Sequence, residues 1–541
     1  MQGLMMDAPL LVTSIIEHAA GIHADTAIIA RTPEGSIHRT TYGEAHRRAK
    51  RLAKAIAALG VKAGDRVGSL AWNTHHHFEL FYGVSGSGAV LHTINPRLFE
   101  EQLVYIVNHA EDSWICVDAG TLPIAEKLAP RTPNVKGWIY MSVDPEPPPS
   151  SLDLLSYEQL LAAQDDAYAW PSFDERRASV ICYTSGTTGQ PKGVVNTHRS
   201  TILSALVMST ADMIGGYRSG MRETVMPIAP MFHGNGWQMV YTAPLNGHAL
   251  VLPGRNFEAD KLYELMAAER VTMAACVPTV WITLVDHLDH HGLRLPSMRA
   301  ALIAGTTPPR SLVEALEQRH GIEVAHCWGM TEALGVTKCS MPPGYADAPF
   351  DTRVDQKLRQ GRVAFGTQLR IVDDAGEVLP NDGVAFGHLQ ARGPIVTGAY
   401  LKQEAAVSEG WLQTGDVARL HANGTVELVD RSKDVIKSGG EWISSAAIEG
   451  TAMGHPDVAQ AAVIGIAHPR WQERPLLVVV RRPDRHVTAA ELIEYLRPRM
   501  ASWWLPADVA FVEALPMTAT GKVHKVTLRQ HFKDYVSVAA A

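Results

Sequence analysis

From Thr41 to Gly329, segments with helical spacing alternate with short apolar segments, and this alternation narrows the fold more than any other feature of the chain. "TYGEAHRRAKRLAKAIAALG" (41–60) repeats small apolar residues at helical spacing and closes on Gly60, which is placed to end a helix. "GDRVGSLAWN" (64–73) reads as a strand, and "FELFYGVSGSGAVLHTINP" (78–96) as a helix feeding a buried strand. The pattern resumes with strand "VTMAACVPTV", helix "TVWITLVDHLDHHG", strand "MRAALIAGTT", helix "PRSLVEALEQRHG" and strand "EVAHCWG". Such alternation predicts α/β layers. Beyond about Gly361 the texture changes. "LRIVDDAGEVLPNDGVAFGHLQARG" and "ARLHANGTVELVDR" hold short strands with DAG, NDG and NG turns, predicting antiparallel β structure in a β-barrel-like subdomain. From Ser432 a smaller α+β unit begins. A chain of 541 residues exceeds one ordinary core. The expected organisation is a large N-terminal domain, residues 1–432, and a small α+β C-terminal domain, residues 433–541.

Charge and cysteine usage exclude several classes. The net charge is −7 with no basic stripe, unlike a nucleic-acid binder. Five scattered cysteines without CxxC spacing argue for a reducing compartment and against a disulfide framework or zinc ribbon. The first twenty residues lack a basic region and carry Asp7 and Glu17, unlike a secretory signal. No apolar run approaches the roughly 18 residues that span a bilayer. The expectation is a cytoplasmic protein with no integral membrane segment; a homodimer is the commonest oligomer to expect. His75, His76 and His77 are consecutive, so their directions should diverge, and His287 and His291 lack the glutamate of H-E-x-x-H; neither cluster predicts zinc. "GVSGSG" (83–88) does not match the dinucleotide fingerprint.

"YTSGTTGQPKG" (183–193) concentrates four hydroxyls, three glycines and one lysine in eleven residues. Bare backbone lets N–H groups approach phosphate oxygens, hydroxyls add donors and Lys192 adds charge, so the segment suits a polyanion. It is not a Walker A loop: Pro191 precedes the lysine where glycine is needed, and Gly193 follows it in place of Ser or Thr.

The same string resembles the phosphate loop of the adenylate-forming superfamily, which includes acyl-CoA synthetases. Further motifs extend the resemblance over nearly the whole chain, in family order: "APMFHGNGW" (229–237), "AGTTPP" (304–309), "CWGMTEALG" (327–335), "GWLQTGDVA" (410–418), "DRSKDVIKSGGEWIS" (430–444) and "PMTATGKVHK" (516–525). The resemblance implies ATP, Mg²⁺ and coenzyme A, and a mobile C-terminal domain. It implies that Thr184, Ser185, Gly186, Thr187, Thr188 and Lys192 hold the β- and γ-phosphates, that Glu332 with Thr184 positions Mg²⁺, and that Thr331 bonds the α-phosphate. Gly305, Thr306, Cys327, Trp328 and Gly329 would frame the adenine, with Asp416 and Arg431 at the ribose. Lys522 would be the catalytic lysine, bridging the attacking carboxylate and the α-phosphate; Met517 departs mildly from the motif, which often has a basic residue there. His233, Trp237 and Met330 would line the acyl pocket, with His233 at its carboxylate and thioester end and, together with Lys522 and Glu332, one of the catalytic residues. Lys433 would be the hinge, and Lys437, Ser438, Gly439, Gly440, Glu441 and Trp442 would serve CoA.

The resemblance is greatest to medium- and long-chain acyl-CoA synthetases, and 72–112 looks especially like the methylthiopropionate–CoA ligase branch. The implied reaction joins a carboxylic acid to AMP with release of pyrophosphate and then transfers the acyl group to CoA. The acid would be a short- or medium-chain one such as 3-methylthiopropionate, the alternative being a medium- or long-chain fatty acid. A peptide-synthetase domain, a CoA-independent acyl-AMP ligase and a luciferase-like oxygenase fit less well. A catalytically dead acyl- or nucleotide-binding protein is the reading of another class, and retention of Lys522, Glu332 and Asp416 argues against it.

Overall fold

Thr41 and Thr74 each stand just before a helix and cap it. The Thr41 hydroxyl accepts from the Glu44 amide ahead of Tyr42–Ala58, and the Thr74 hydroxyl accepts from the His77 amide ahead of His75–Gly86. The first helix turns Ala45, Ala49, Leu52 and Ile56 inward. The second is buried along its whole length. The two pack so closely that a Cβ on Gly83 would lie 2.5 Å from Leu52 Cδ2, which explains a glycine in mid-helix.

The computed structural model describes residues 1, 3–184, 190–213, 222–339, 341–342, 344–403, 405–438, 441–517, 523–533 and 535. Two seven-stranded sheets form the large domain. One runs in the order 323–326, 300–303, 273–276, 224–227, 249–252, 27–31, 37–41, and the other in the order 154–156, 138–141, 112–118, 66–70, 90–93, 178–183, 193–197. Each is parallel except for one antiparallel edge pair. The buried helix His75–Gly86 touches strands of both sheets, so it lies in the layer between them. A helix buried on every side there matches the layered α/β expectation.

Beyond Gly361 the expected antiparallel layer is present. Gln368–Val372, Phe386–Arg392, Val407–Ser408, Trp411–Leu420 and Val426–Arg431 form a five-stranded sheet around Trp328, Ile371, Leu389 and Leu420. That sheet ends at Arg431, and the next begins at Ile436, with Val458–His468 and Gln472–Arg481 as its long central hairpin. No helix among the described residues is long and apolar enough to cross a membrane.

The triple histidine behaves differently from the expectation. His75 and His76 do not diverge: their rings lie 3.8 Å apart, and His76 Nε2 reaches Glu158 at 3.0 Å. His77 turns away to Ser69 and to the Trp72 carbonyl. Burial holds the His77 and His326 imidazoles at about 4, against an ordinary value of 6.5. Both stay neutral in the folded protein while the unfolded chain takes up protons near pH 6.5, so stability falls as pH drops from about 6.5 to about 4. Each is expected to remove up to roughly 1.4 kcal/mol per pH unit in that window. Urea midpoints measured from pH 7.5 to 4.5 should fall, and His326→Gln should flatten the slope.

Candidate active site

The hydroxyl-rich loop joins two antiparallel strands, Ala178–Tyr183 and Gly193–Thr197, with Tyr183 opposite Gly193. It is therefore a hairpin loop and not the strand-to-helix turn of a Walker motif. Its neck is closed from both sides. The Thr184 amide donates to the Lys192 carbonyl at 2.9 Å, and the Lys192 amide donates to Thr184 Oγ1 at 3.2 Å. Ser185, Gly186, Thr187 and Thr188 lie outside the described residues. Lys192 is exposed, and its Nζ sits 4.8 Å above the ring of Tyr400.

Tyr400 leads directly to Glu332. Its hydroxyl donates to Glu332 Oε1 at 2.9 Å. Burial and then Glu332 push the phenol above its usual value, so it stays protonated and remains a donor. Glu332 is presented by a tight turn in which Met330 and Ala333 exchange backbone hydrogen bonds of 3.0 Å each way. Thr331 lies on the same turn. A carboxylate here and the Thr184 hydroxyl at the loop neck are hard oxygen donors, the chemistry that Mg²⁺ prefers.

The segments that the resemblance assigns to the adenine lie at the carboxyl ends of neighbouring parallel strands. Gly305 and Thr306 follow Ala300–Ile303, and Cys327, Trp328 and Gly329 follow Glu323–His326. Strand ends of this kind are where ligands settle in open α/β sheets. Gly305 has a φ of +91°, a left-handed turn that glycine accepts without strain. Gly305, Thr306 and Gly329 are exposed, whereas the Cys327 and Trp328 side chains are buried. Those two side chains pack into apolar cores, Cys327 in the large domain and Trp328 in the antiparallel layer.

Trp328 also touches the pair Asp416 and Arg431, which the resemblance assigns to the ribose. Its Nε1 donates to Asp416 Oδ2 at 3.2 Å, and Arg431 Nε lies 3.0 Å from Asp416 Oδ1. Asp416 and Arg431 face each other across adjacent strands, which explains why residues fifteen apart meet. The Asp416 side chain is only 3% exposed.

The segment that the resemblance assigns to the acyl pocket is clamped from the core. Asn73, fully buried, donates to the carbonyls of Pro227 and Ala229 and accepts from the Met231 amide. The Phe232 carbonyl takes hydrogen bonds from Thr93 Oγ1 and Cys182 Sγ. His233 follows, half-buried. The chain then turns left-handed, with positive φ at Gly234, Gly236, Trp237 and Gln238. Left-handed backbone costs a non-glycine residue roughly 1–2 kcal/mol, so Trp237 is held in place by its surroundings. Trp237 packs against the large-domain core, whereas Met330 packs against the antiparallel layer with Trp328. The structure thus seats these two side chains in different apolar clusters.

Around Lys433 the chain is tightly bonded. Arg529 donates to the Lys433 carbonyl and pairs with Asp434 at 2.7 Å. Desolvation, then Arg431, Arg529 and Lys525, lower the Lys433 ammonium from its usual value, against Asp434. Just before it, Asp430 Oδ2 accepts from the Ser445 amide and hydroxyl, both at 2.6 Å, at the start of helix Ser445–Ala452. Lys525 Nζ joins this cluster through Ser445 Oγ and Glu449. Lys437 reaches Asp374 at 3.3 Å and lies over Trp442, whose ring packs on Phe386 and His388. Ser438 is buried beside Arg474. Gly439, Gly440, the Glu441 side chain and Lys522 lie outside the described residues. Pro516 and His524, which flank Lys522, are joined by a 2.7 Å backbone hydrogen bond.

Sequence reasoning missed Tyr400, Asn73 and Asp430. Tyr400 lies in "GAYLK", where only its partners reveal its place. Asn73 precedes the histidine run as an ordinary-looking cap neighbour.

Comparison with known proteins agrees with this architecture. The AMP-binding enzyme family model matches residues 16–401, and that of the AMP-binding enzyme C-terminal domain matches 447–522. The chain is 43% identical over 538 residues to a 3-methylmercaptopropionyl-CoA ligase of Ruegeria lacuscaerulensis, covering 99% of both chains. It is 40% identical to a long-chain-fatty-acid–CoA ligase of Thermus thermophilus, covering 98% and 97% of the two chains. In fold it matches the crystal structure of the anthranilate CoA ligase AuaEII in complex with anthranoyl-AMP, with a TM-score of 0.85 at 24% identity over 97% and 98% of the chains. The chain therefore belongs to the AMP-binding enzyme family, and it is an AMP-forming acyl-CoA synthetase.

Proposed function

We propose that the chain activates a short- or medium-chain carboxylic acid, with 3-methylthiopropionate the first candidate, and passes the acyl group to CoA. The similarity to 3-methylmercaptopropionyl-CoA ligases supports the thioether acid. Similarity to medium- and long-chain-fatty-acid–CoA ligases supports the longer aliphatic acids as the competing reading. The observation that carries most weight for the site is Tyr400 joining Lys192 and Glu332 beside a loop closed at its neck.

In this reading the acid's carboxylate attacks the α-phosphorus of ATP and pyrophosphate leaves. Lys192, the Thr184 hydroxyl and the loop 185–188 hold the β- and γ-phosphates, and Thr331 bonds the α-phosphate. Mg²⁺, when bound, neutralises charge on the phosphate oxygens, with Glu332 and Thr184 as the residues to hold it. Asp416 accepts from the ribose hydroxyls and is itself held by Arg431 and Trp328. Lys522 neutralises charge where two anions must approach. His233 and Trp237 lie at the acyl end. The C-terminal domain then turns about Lys433, withdrawing Lys522 and bringing 437–442 to CoA. The five free cysteines support a cytoplasmic setting, and a homodimer is the expected assembly.

A panel of short, thioether, medium and long acids in a CoA-dependent AMP-release assay tests the substrate. Turnover per KM should peak at the short thioether acid. A peak at twelve carbons or more would replace that reading with a fatty-acid ligase, and no release with any acid would remove both.

A further inference from the structure

We propose that Tyr400 is a positioning residue for the adenylation step, setting the Glu332 carboxylate with its hydroxyl and the Lys192 ammonium with its ring face. This rests on the reading that Lys192 and Glu332 serve the phosphates and the divalent cation.

The main chain around Tyr400 is fixed on two sides. The Leu401 amide donates to the Gly193 carbonyl at 2.8 Å, and Tyr400 bridges Val194, which pins the segment to the strand leaving the phosphate loop. The Thr397 amide donates to the Glu332 carbonyl at 2.8 Å, which pins the same segment to the turn that presents Glu332. Tyr400 thus sits where the strand from the loop and the acidic turn are tied together. A shift of either would pass through it.

The side chain uses two chemically different surfaces. Its hydroxyl donates to Glu332 Oε1 at 2.9 Å, a charge-assisted bond that fixes one carboxylate oxygen. Its ring lies 4.8 Å below the Lys192 ammonium, within cation–π range. A direct ion pair between Lys192 and Glu332 would neutralise both and draw each from its ligand. The phenol engages each charge and neutralises neither. Lysine also carries large rotamer freedom, and the ring narrows it before the nucleotide arrives. A core tyrosine needs neither contact.

The two surfaces can be separated by substitution. Tyr400→Phe keeps the ring and its volume but removes the donor, and Tyr400→Leu removes both. ATP binding to the full chain is followed by titration calorimetry across a series of Mg²⁺ concentrations, and pyrophosphate exchange gives kcat and KM. Tyr400→Phe should lower exchange kcat about tenfold and raise the Mg²⁺ needed for half-maximal ATP binding, with ATP KM nearly unchanged. Tyr400→Leu should add a rise of about three- to tenfold in the ATP Kd, approaching Lys192→Ala. In a Glu332→Gln background, Tyr400→Phe should change kcat less than about twofold. Wild-type kcat and Mg²⁺ dependence in Tyr400→Phe, with Glu332→Gln and Lys192→Ala both impaired, overturns the role of Tyr400 and leaves the phosphate-site reading standing. If Glu332→Gln and Lys192→Ala are themselves unimpaired, the phosphate-site reading fails and the proposal with it. Equal ATP Kd in the Phe and Leu variants removes the ring's part. The Phe variant carries the test should the Leu variant not fold.

Discussion

Lys522→Ala is expected to slow acyl-adenylate formation by roughly 10²–10³-fold, the range for removing one group aimed at developing charge. Thioester formation from a supplied acyl-adenylate should remain near the unmodified rate, because in the proposed reaction Lys522 has left the site by then. Lys433→Pro should do the reverse: exchange of labelled pyrophosphate persists while CoA-dependent turnover collapses. Two half-reactions assayed on each variant give the comparison. Equal loss of both steps in Lys522→Ala would count against an exchange of lids over one site.

The second large effect is expected at Asp416. Its carboxylate is nearly buried and bonded on both oxygens, by Trp328 Nε1 and Arg431 Nε. On the proposed ribose assignment, Asp416→Ala removes the acceptor of the sugar hydroxyls, and the ATP KM should rise roughly a hundredfold, as for the loss of two hydrogen bonds to a charged group. Arg431 is half-exposed and regains water, so stability should fall by only about 1–2 kcal/mol. Asp416→Asn keeps the volume and should lie between the two in KM. Steady-state kinetics with varied ATP and a urea melt give both numbers. An unchanged ATP KM in Asp416→Ala would remove the ribose assignment.

Local signals in the sequence reach far into this fold. The helix expected within 41–60 runs over Tyr42–Ala58, whereas the one expected from Phe78 begins three residues earlier, at His75, where the Thr74 hydroxyl caps it. The change of texture after Gly361 corresponds to a real change from parallel to antiparallel pairing. What local pattern could not carry is position across the sheets. His76 contacts Glu158 eighty-two residues away, and Tyr400 contacts Glu332 sixty-eight residues away. The same limit separates Trp237 from Met330: both are bulky and near motif residues, yet they face different cores. That Asp416 and Arg431 lie together follows from the motifs, while Trp328 as the third member of that group does not, because an indole reads as apolar until its N–H is placed.

Asp430 and Ser445 stand on opposite sides of Lys433 in the chain, and the carboxylate of one grips the amide and hydroxyl of the other. In the proposed reaction, turning the backbone between them would carry Ser445 away, so the grip would have to open before the lid travels. Motion at such a joint would be a click rather than a glide. The molecule would dwell in one posture, release, and dwell again, and the strength of a single carboxylate would help set the tempo of the whole cycle.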